Sequence, residues 1–170
     1  MIRRLTDSDF AGDAVGAAKA LLGKWLCRRL EDGSVLRARI VETEAYCGEG
    51  DTACHAHCGK TPRNAPMYER GGIAYVYLCY GMHNLLNVVT GAAGCPEAVL
   101  VRGVEGHVGP GRVTKFLRID RAFNREPFAI SRRLWIEDDG EPPPRFKATP
   151  RIGIGYASAR DQKRRWRFVV

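Results

Sequence analysis

Near the start of the chain apolar residues recur at helical spacing. Phe10, Ala14, Ala17, Ala18 and Leu21 fall on one stripe, so Asp9 to Leu22 is predicted to be a helix. Asp9 suits the positive end of a helix dipole, and Gly23 can end the element. Gly12 and Gly16 weaken it. The period then changes. Lys24 to Leu30 reads as a strand, Glu31-Asp32-Gly33-Ser34 as a turn, and Val35 to Glu44 as the hairpin partner. Leu36, Ala38 and Ile40 share one strand face, with Arg37 and Arg39 on the other. Carried forward, this alternation puts Glu42 and Glu44 on the apolar face. Bare burial of a carboxylate is costly, so these acids require a site or a partner.

From Cys47 to Met67 periodicity disappears among glycines, prolines and polar residues, with one short helical turn expected near Asp51 to His57. An irregular excursion this long is often functional. Ile73 to Cys79 is a predicted strand, Tyr80-Gly81-Met82-His83 a turn, and Leu85 to Thr90 the returning strand. Ala98 to Arg102 is another strand. Val108-Gly109-Pro110-Gly111 opens a helix expected from Arg112 to about Asp120. Trp135-Ile136-Glu137 reads as a short strand, Pro142-Pro143-Pro144 as a stiff connector, and Ala148 to Gly155 and Trp166 to Val170 as terminal strands. No internal repeat is present. The pattern predicts a mixed α/β (α+β) domain spanning 1–170: a curved, mainly antiparallel sheet, flanking helices and a protruding hairpin.

Composition narrows the class. At 170 residues and 45% hydrophobic content the chain is expected to fold around one core. Its formal net charge of +8 attracts polyanions, with nucleic acid the first partner to consider. No apolar run reaches the length of a membrane span, and the N-terminus lacks an apolar signal core, so an intracellular protein is expected. The six cysteines are expected to be reduced thiols.

Three clusters carry candidate chemistry. Glu42 and Glu44 are carboxylates able to take a proton from water or stabilise a positive centre at a sugar carbon. Tyr75 and Tyr77 share a strand face, and Tyr80 sits at a hairpin tip, where a ring is better placed to enter a base stack than to fill a core. Cys47, Cys54, His55, His57 and Cys58 are suitable zinc ligands, but no matching second pair gives them a finger's spacing. Buried thiols beside ordinary loop histidines are the alternative. Basic residues at Lys60, Arg63, Arg102, Arg112 and Lys115, and in Lys163-Arg164-Arg165 with Arg167, supply phosphate contacts if several converge.

Read in order, these strings resemble the alkyladenine (3-methyladenine, or methylpurine) DNA glycosylase family. Glu42-Thr43-Glu44-Ala45-Tyr46 is similar to its acidic motif, His55 and Thr61-Pro62-Arg63-Asn64 to the segment that follows, and Gly72 to Met82 to its tyrosine hairpin. Asn87, Leu100-Val101-Arg102 and Gly109-Pro110-Gly111 match later markers. The resemblance implies Glu44 as general base. It implies Tyr46, His55 and Tyr77 as walls of a pocket for a flipped base, Asn87 as a gatekeeper against guanine, and Arg102 as an anchor nearby. Tyr80 would wedge into the duplex, with Met82, His83, Arg63 and Lys115 touching DNA around it. No cofactor and no metal are implied. The partner would be duplex DNA holding a damaged purine, met by a monomer in the cytoplasm or nucleoid of a bacterium, or in a eukaryotic nucleus. Some members carry a longer basic insertion where Gly103 to Val108 here leaves room only for a turn. Two other classes fit parts of the pattern: a non-catalytic module that senses distorted DNA, and a small zinc-stabilised interaction protein.

Overall fold

A computed structural model describes residues 1–170. In chain order its strands and α-helices are β1 (Arg3–Arg4), α1 (Ala14–Ala20), β2 (Trp25–Arg29), β3 (Val35–Cys47), β4 (Ala74–Cys79), β5 (His83–Thr90), β6 (Glu97–Val104), β7 (His107–Val108), α2 (Pro110–Leu117), β8 (Leu134–Asp138), β9 (Lys147–Thr149), α3 (Ala159–Lys163) and β10 (Arg167–Val169). Every strand pair is antiparallel. The order is β1-β8-β2-β3-β6-β5-β4, with β10 joining β3 to β9 and β7 closing on β6.

The long strand β3 organises the domain. Its first half pairs with β2, from Val35↔Arg29 to Arg39↔Trp25. Its second half lies between β6 and β10. The change falls at a bulge. Ile40 pairs with Val104 and Glu42 with Gly103, so two steps on β3 answer one on β6. A bulge resets which residues face which side. Ala38 and Ile40 point into the core before it, and Ala45 does so after it. Thr43 takes the same side, its hydroxyl donating to Ala18 O of α1 at 2.8 Å. Glu42 and Glu44 therefore leave the apolar face that simple alternation gives them. Gly103 permits the approach, since a Cβ there would lie 3.1 Å from the Glu42 Cβ.

The core joins Ala14, Ala18 and Leu22 around α1 with Val113 and Leu117 of α2 and inward residues of β3 to β6. The helix expected over 9–22 forms in two pieces. Asp7–Phe10 is a 3₁₀ turn, the backbone breaks at Gly12, and α1 starts after Asp13, whose carboxylate accepts from Gly16 N at 2.8 Å. This short acid cap outweighs continuation of the apolar stripe. Helix α2 begins two residues before its expected start, because Pro110 suits the first helical position, and it ends at Arg118 in left-handed conformation (φ 51°). The stretch 48–50 forms a 3₁₀ turn and 51–58 only turns and bends, in place of the helical turn expected near 51–57. The strand expected over 148–155 stops at Thr149, and residues 150–157 cross the open face of β3 as an irregular segment. The Gly103–Val108 link is a tight hairpin with Gly106 at φ 79°.

Gly71 locks this framework to the N-terminal turn. A Cβ there would fall 2.5 Å from Phe10 O and 2.9 Å from Thr90 Cα, both backbone atoms. Gly71→Ala is expected to lower stability by about 1–3 kcal/mol through overpacking. Urea titration should show a lower midpoint at unchanged slope.

Candidate active site

Phase reversal in β3 delivers Glu44 to the floor of a cleft of about 1180 Å³. The cleft lies between the β4–β5 hairpin, the start of α2 and residues 152–156. The Glu44 side chain is fully buried. One oxygen, Oε1, accepts from the Ile152 backbone N–H at 2.8 Å; the other, Oε2, accepts from the Tyr46 hydroxyl at 2.7 Å. Arg102 Nε stands 3.9 Å from Oε1. Burial nonetheless dominates and raises the Glu44 pKa above the ordinary glutamate value, partly offset by those two hydrogen bonds and the nearby arginines. Its neighbour Glu42 has a different task. Glu42 Oε1 accepts from Arg102 Nε at 2.9 Å and from Arg167 Nε at 2.5 Å, so it clamps Arg102 toward Glu44 and ties down β10.

Behind the cleft lies a second cavity of about 40 Å³ with aromatic walls. Tyr46, His55 and Tyr77 line both spaces, and Asn87 lines only the inner one. The His55 and Tyr77 rings meet edge to face at 4.5 Å, and His55 Nδ1 lies 3.1 Å from the Tyr75 hydroxyl. His55 is exposed to the cleft. Desolvation of its ring, then the Arg63 cation, lowers its pKa, which favours the neutral imidazole at pH 7. Asn87 pairs with Tyr75 across the strands and donates Nδ2 to its carbonyl at 3.1 Å, which fixes the amide at the cavity wall.

The rim is basic and exposed. Arg63, Arg112, Lys115 and Arg118 line the cleft. Tyr80 is 89% exposed and Met82 72% exposed at the tip of the β4–β5 hairpin. Tyr80 (φ 50°) and Gly81 (φ 66°) both have left-handed backbone, the combination a tight hairpin needs. For a tyrosine that conformation costs about 1–2 kcal/mol. His83 packs on Gly111, where a Cβ would lie 3.1 Å from its ring.

Glu44, Tyr46, His55, Arg63, Tyr77, Tyr80, Met82, His83, Asn87, Arg102 and Lys115 each line at least one of the two adjoining cavities. The basic tail does not. Arg164 pairs with Asp161 and covers Trp166, while Arg167 is bound to Glu42. Nor do the side chains suited to bind zinc converge. Cys54 is buried near Pro96 O, His57 Nδ1 meets Glu49 O at 2.8 Å, and Cys58 is exposed. No three His, Cys, Asp or Glu side chains form a metal-sized group. Burial pushes the Cys54 thiol up to about 11 and the Cys47 thiol up to about 12, so both are protonated at neutral pH.

Sequence reasoning missed the support beneath Glu44. Arg151 and Asp51 form a buried, bidentate ion pair with contacts of 2.6 and 2.8 Å. Arg151 also donates to Ala45 O at 2.9 Å and lies 4.8 Å from the Tyr46 ring centroid. Asp51 accepts from the Cys47 and Ala53 N–H groups. The pair holds the end of β3, the following turn and the 150–157 segment together, and so aims both donors at Glu44. The available signal was Gly153 and Gly155, which argue against an uninterrupted strand.

The chain belongs to the methylpurine-DNA glycosylase family, whose profile matches residues 8–108 and 106–170. The join falls at the β6–β7 turn. Similar proteins named "Putative 3-methyladenine DNA glycosylase" occur in Psychrobacter cryohalolentis (45% identity over 177 residues, 87% of this chain and 83% of that protein) and Borrelia garinii (40% over 173 residues, 95% and 92%). One from Methanocella arvoryzae is 44% identical over 171 residues, 89% and 84% of the two chains.

A raised Glu44 pKa links the site to stability. The folded state binds this proton more tightly than the unfolded chain, so wild-type stability falls as pH rises from the ordinary glutamate value through the raised one. Glutamine does not titrate. The stability of Glu44→Gln relative to wild type is therefore expected to increase over that interval and level off above it. Urea denaturation of both proteins between pH 4 and 8 measures this, and a pH-independent difference would contradict it.

Proposed function

We propose that this protein is a monofunctional DNA N-glycosylase that removes alkylated purines such as 3-methyladenine from duplex DNA, with hypoxanthine and ethenoadenine as further candidate substrates. The observation that carries the reading is the Glu44 carboxylate, buried and oriented at the floor of a cleft whose inner wall is flat rings. The damaged nucleotide leaves the stack and its base enters between Tyr46 on one side and His55 and Tyr77 on the other. Unpairing costs a few kcal/mol, least for a lesion that pairs poorly. Aromatic faces favour a cationic base.

Glu44 orients a water and takes its proton as the water oxygen bonds to C1′. The glycosidic bond breaks, its electrons leave with the base, and an alkylated cationic base departs neutral. Little acid help is needed. The surroundings fit that division: the Tyr46 hydroxyl is committed to Glu44 and His55 is neutral, so neither is a ready proton source. Arg102, held by Glu42, is an anchor beside Glu44. Lys115 stands on the exposed rim rather than beside Glu44, which favours water over a Schiff base as the attacking group.

Tyr80 fills the gap left in the duplex, its strained, exposed position holding the ring out from the sheet. Met82 and His83 touch the groove beside it, while Arg63 and Lys115 meet phosphates. Asn87 excludes guanine at the inner wall, where an added exocyclic amino group meets a fixed amide. The protein acts as a monomer. No helix is long and apolar enough to cross a membrane.

The test is release of free base from a duplex with one 3-methyladenine, under single turnover. Wild type is expected to release it. Glu44→Gln should slow release by at least about 100-fold, the loss of a general base, while binding the same duplex with similar affinity. Binding without release by wild type would instead indicate a damage-sensing module. Equal release by the two proteins would remove Glu44 from the chemistry.

A further inference from the structure

Four side chains line both the cleft and the inner cavity: Tyr46, His55, Tyr77 and Tyr156. The first three form the base slot of the glycosylase reading. Tyr156 has no role in it. Its ring is 68% exposed on the cleft side, yet its hydroxyl donates to Ala53 O at 2.7 Å. Ala53 belongs to the turn segment that carries His55, whereas Tyr156 belongs to the irregular segment that carries Ile152. This hydrogen bond therefore ties two sides of the cavity across its boundary with the cleft.

The space behind it is small. About 40 Å³ is close to the share of one water molecule, roughly 30 Å³ in the liquid, and far below a purine. A base cannot pass from the cleft fully into this inner space, where Asn87 stands, unless a wall moves. Most walls are fixed. Tyr46 is held by Glu44 and lies against the Arg151 cation, and Tyr75 and Asn87 are bonded within the β4–β5 pair. Tyr156 stands on a looser segment. It follows Gly155, which has nothing within 4 Å of a notional Cβ, and Gly153 nearby has positive φ (74°) and equally open space. One neutral hydrogen bond holds the side chain, and open solvent receives it.

We propose that Tyr156 is the gate of the base pocket: breaking its hydrogen bond to Ala53 admits a purine, and the ring closes again over the seated base. The proposal rests on the glycosylase reading for its ligand class. It makes Tyr156 a specificity-determining residue, since opening adds the same barrier to every base that leaves the stack. Bases that return quickly to their pairing partner are turned away more often than lesions that linger outside it.

The gate has a kinetic signature measurable without DNA. Free 3-methyladenine is mixed with the protein in a stopped-flow instrument and followed by protein fluorescence. Tyr156→Phe keeps the ring and removes the hydrogen bond. It is expected to raise the association and dissociation rate constants together, each roughly fivefold for one lost neutral hydrogen bond, with Kd changed less than twofold. Tyr156→Ala also removes the cover, so dissociation rises further and Kd weakens. A wall residue that does not gate would change dissociation and Kd while leaving association alone, and that result overturns the proposal. So do unchanged rates in Tyr156→Phe, and so does an absence of saturable binding to wild type. Base release from alkylated DNA is assayed on the same preparations. Failure of wild type there overturns the glycosylase reading, whereas normal release with unaltered base-binding rates overturns only the gate.

Discussion

A carboxylate with no exposed surface needs partners for both oxygens, and this requirement at Glu44 shapes the molecule. Its two donors come from opposite directions: the Tyr46 hydroxyl from the same strand and the Ile152 N–H from a segment more than a hundred residues later. Neither would stay in place unaided. The buried Arg151–Asp51 pair fixes them both, and removing one member of such a pair typically costs about 3–5 kcal/mol because the other charge is left buried and unpaired. Glu42 acts in parallel from the next position but one, holding Arg102 and Arg167. The bulge at Ile40–Thr43 makes this possible, since without the phase change both glutamates would enter the hydrophobic core.

Around that fixed floor the structure grades toward freedom. The Tyr46, His55 and Tyr77 rings are set by strand pairing and by each other. The rim carries charge and strain: arginines and a lysine in solvent, and a tyrosine in left-handed conformation at the hairpin tip. Such a division suits a reaction on a base drawn from a long polyanion. Phosphate contacts tolerate adjustment and weaken with salt, whereas general-base catalysis does not tolerate a misplaced carboxylate.

The sequence carried much of this because its decisive features are local. The alternation of Val35 to Ile40 and the turn residues of the β4–β5 hairpin each occupy a few consecutive positions, and both appear where expected. What escaped was long-range. Nothing in Val35 to Cys47 announces a bulge, so alternation carried past Ile40 sent Glu44 to the wrong face. Arg151 fell inside the strand expected over 148–155 with nothing to mark it, because its partner Asp51 is a hundred positions away. Tyr156 lacked any pattern, and its place between two cavities exists only after the chain folds. The Asp13 cap shows a different kind of error: an apolar stripe at helical spacing was carried back to Phe10 across a local hydrogen bond that starts the helix only at Ala14.

The central claim is that one buried carboxylate, held at a raised pKa, acts as the base. The pH dependence of kcat/KM for 3-methyladenine release from duplex DNA tests it most directly, because that quantity reports ionisations of the free protein. Activity is predicted to fall with unit slope on the acid side, at a midpoint above the ordinary glutamate value, as Glu44 takes up its proton. An acid limb at or below that ordinary value, or a rate that stays level through it, would contradict the account.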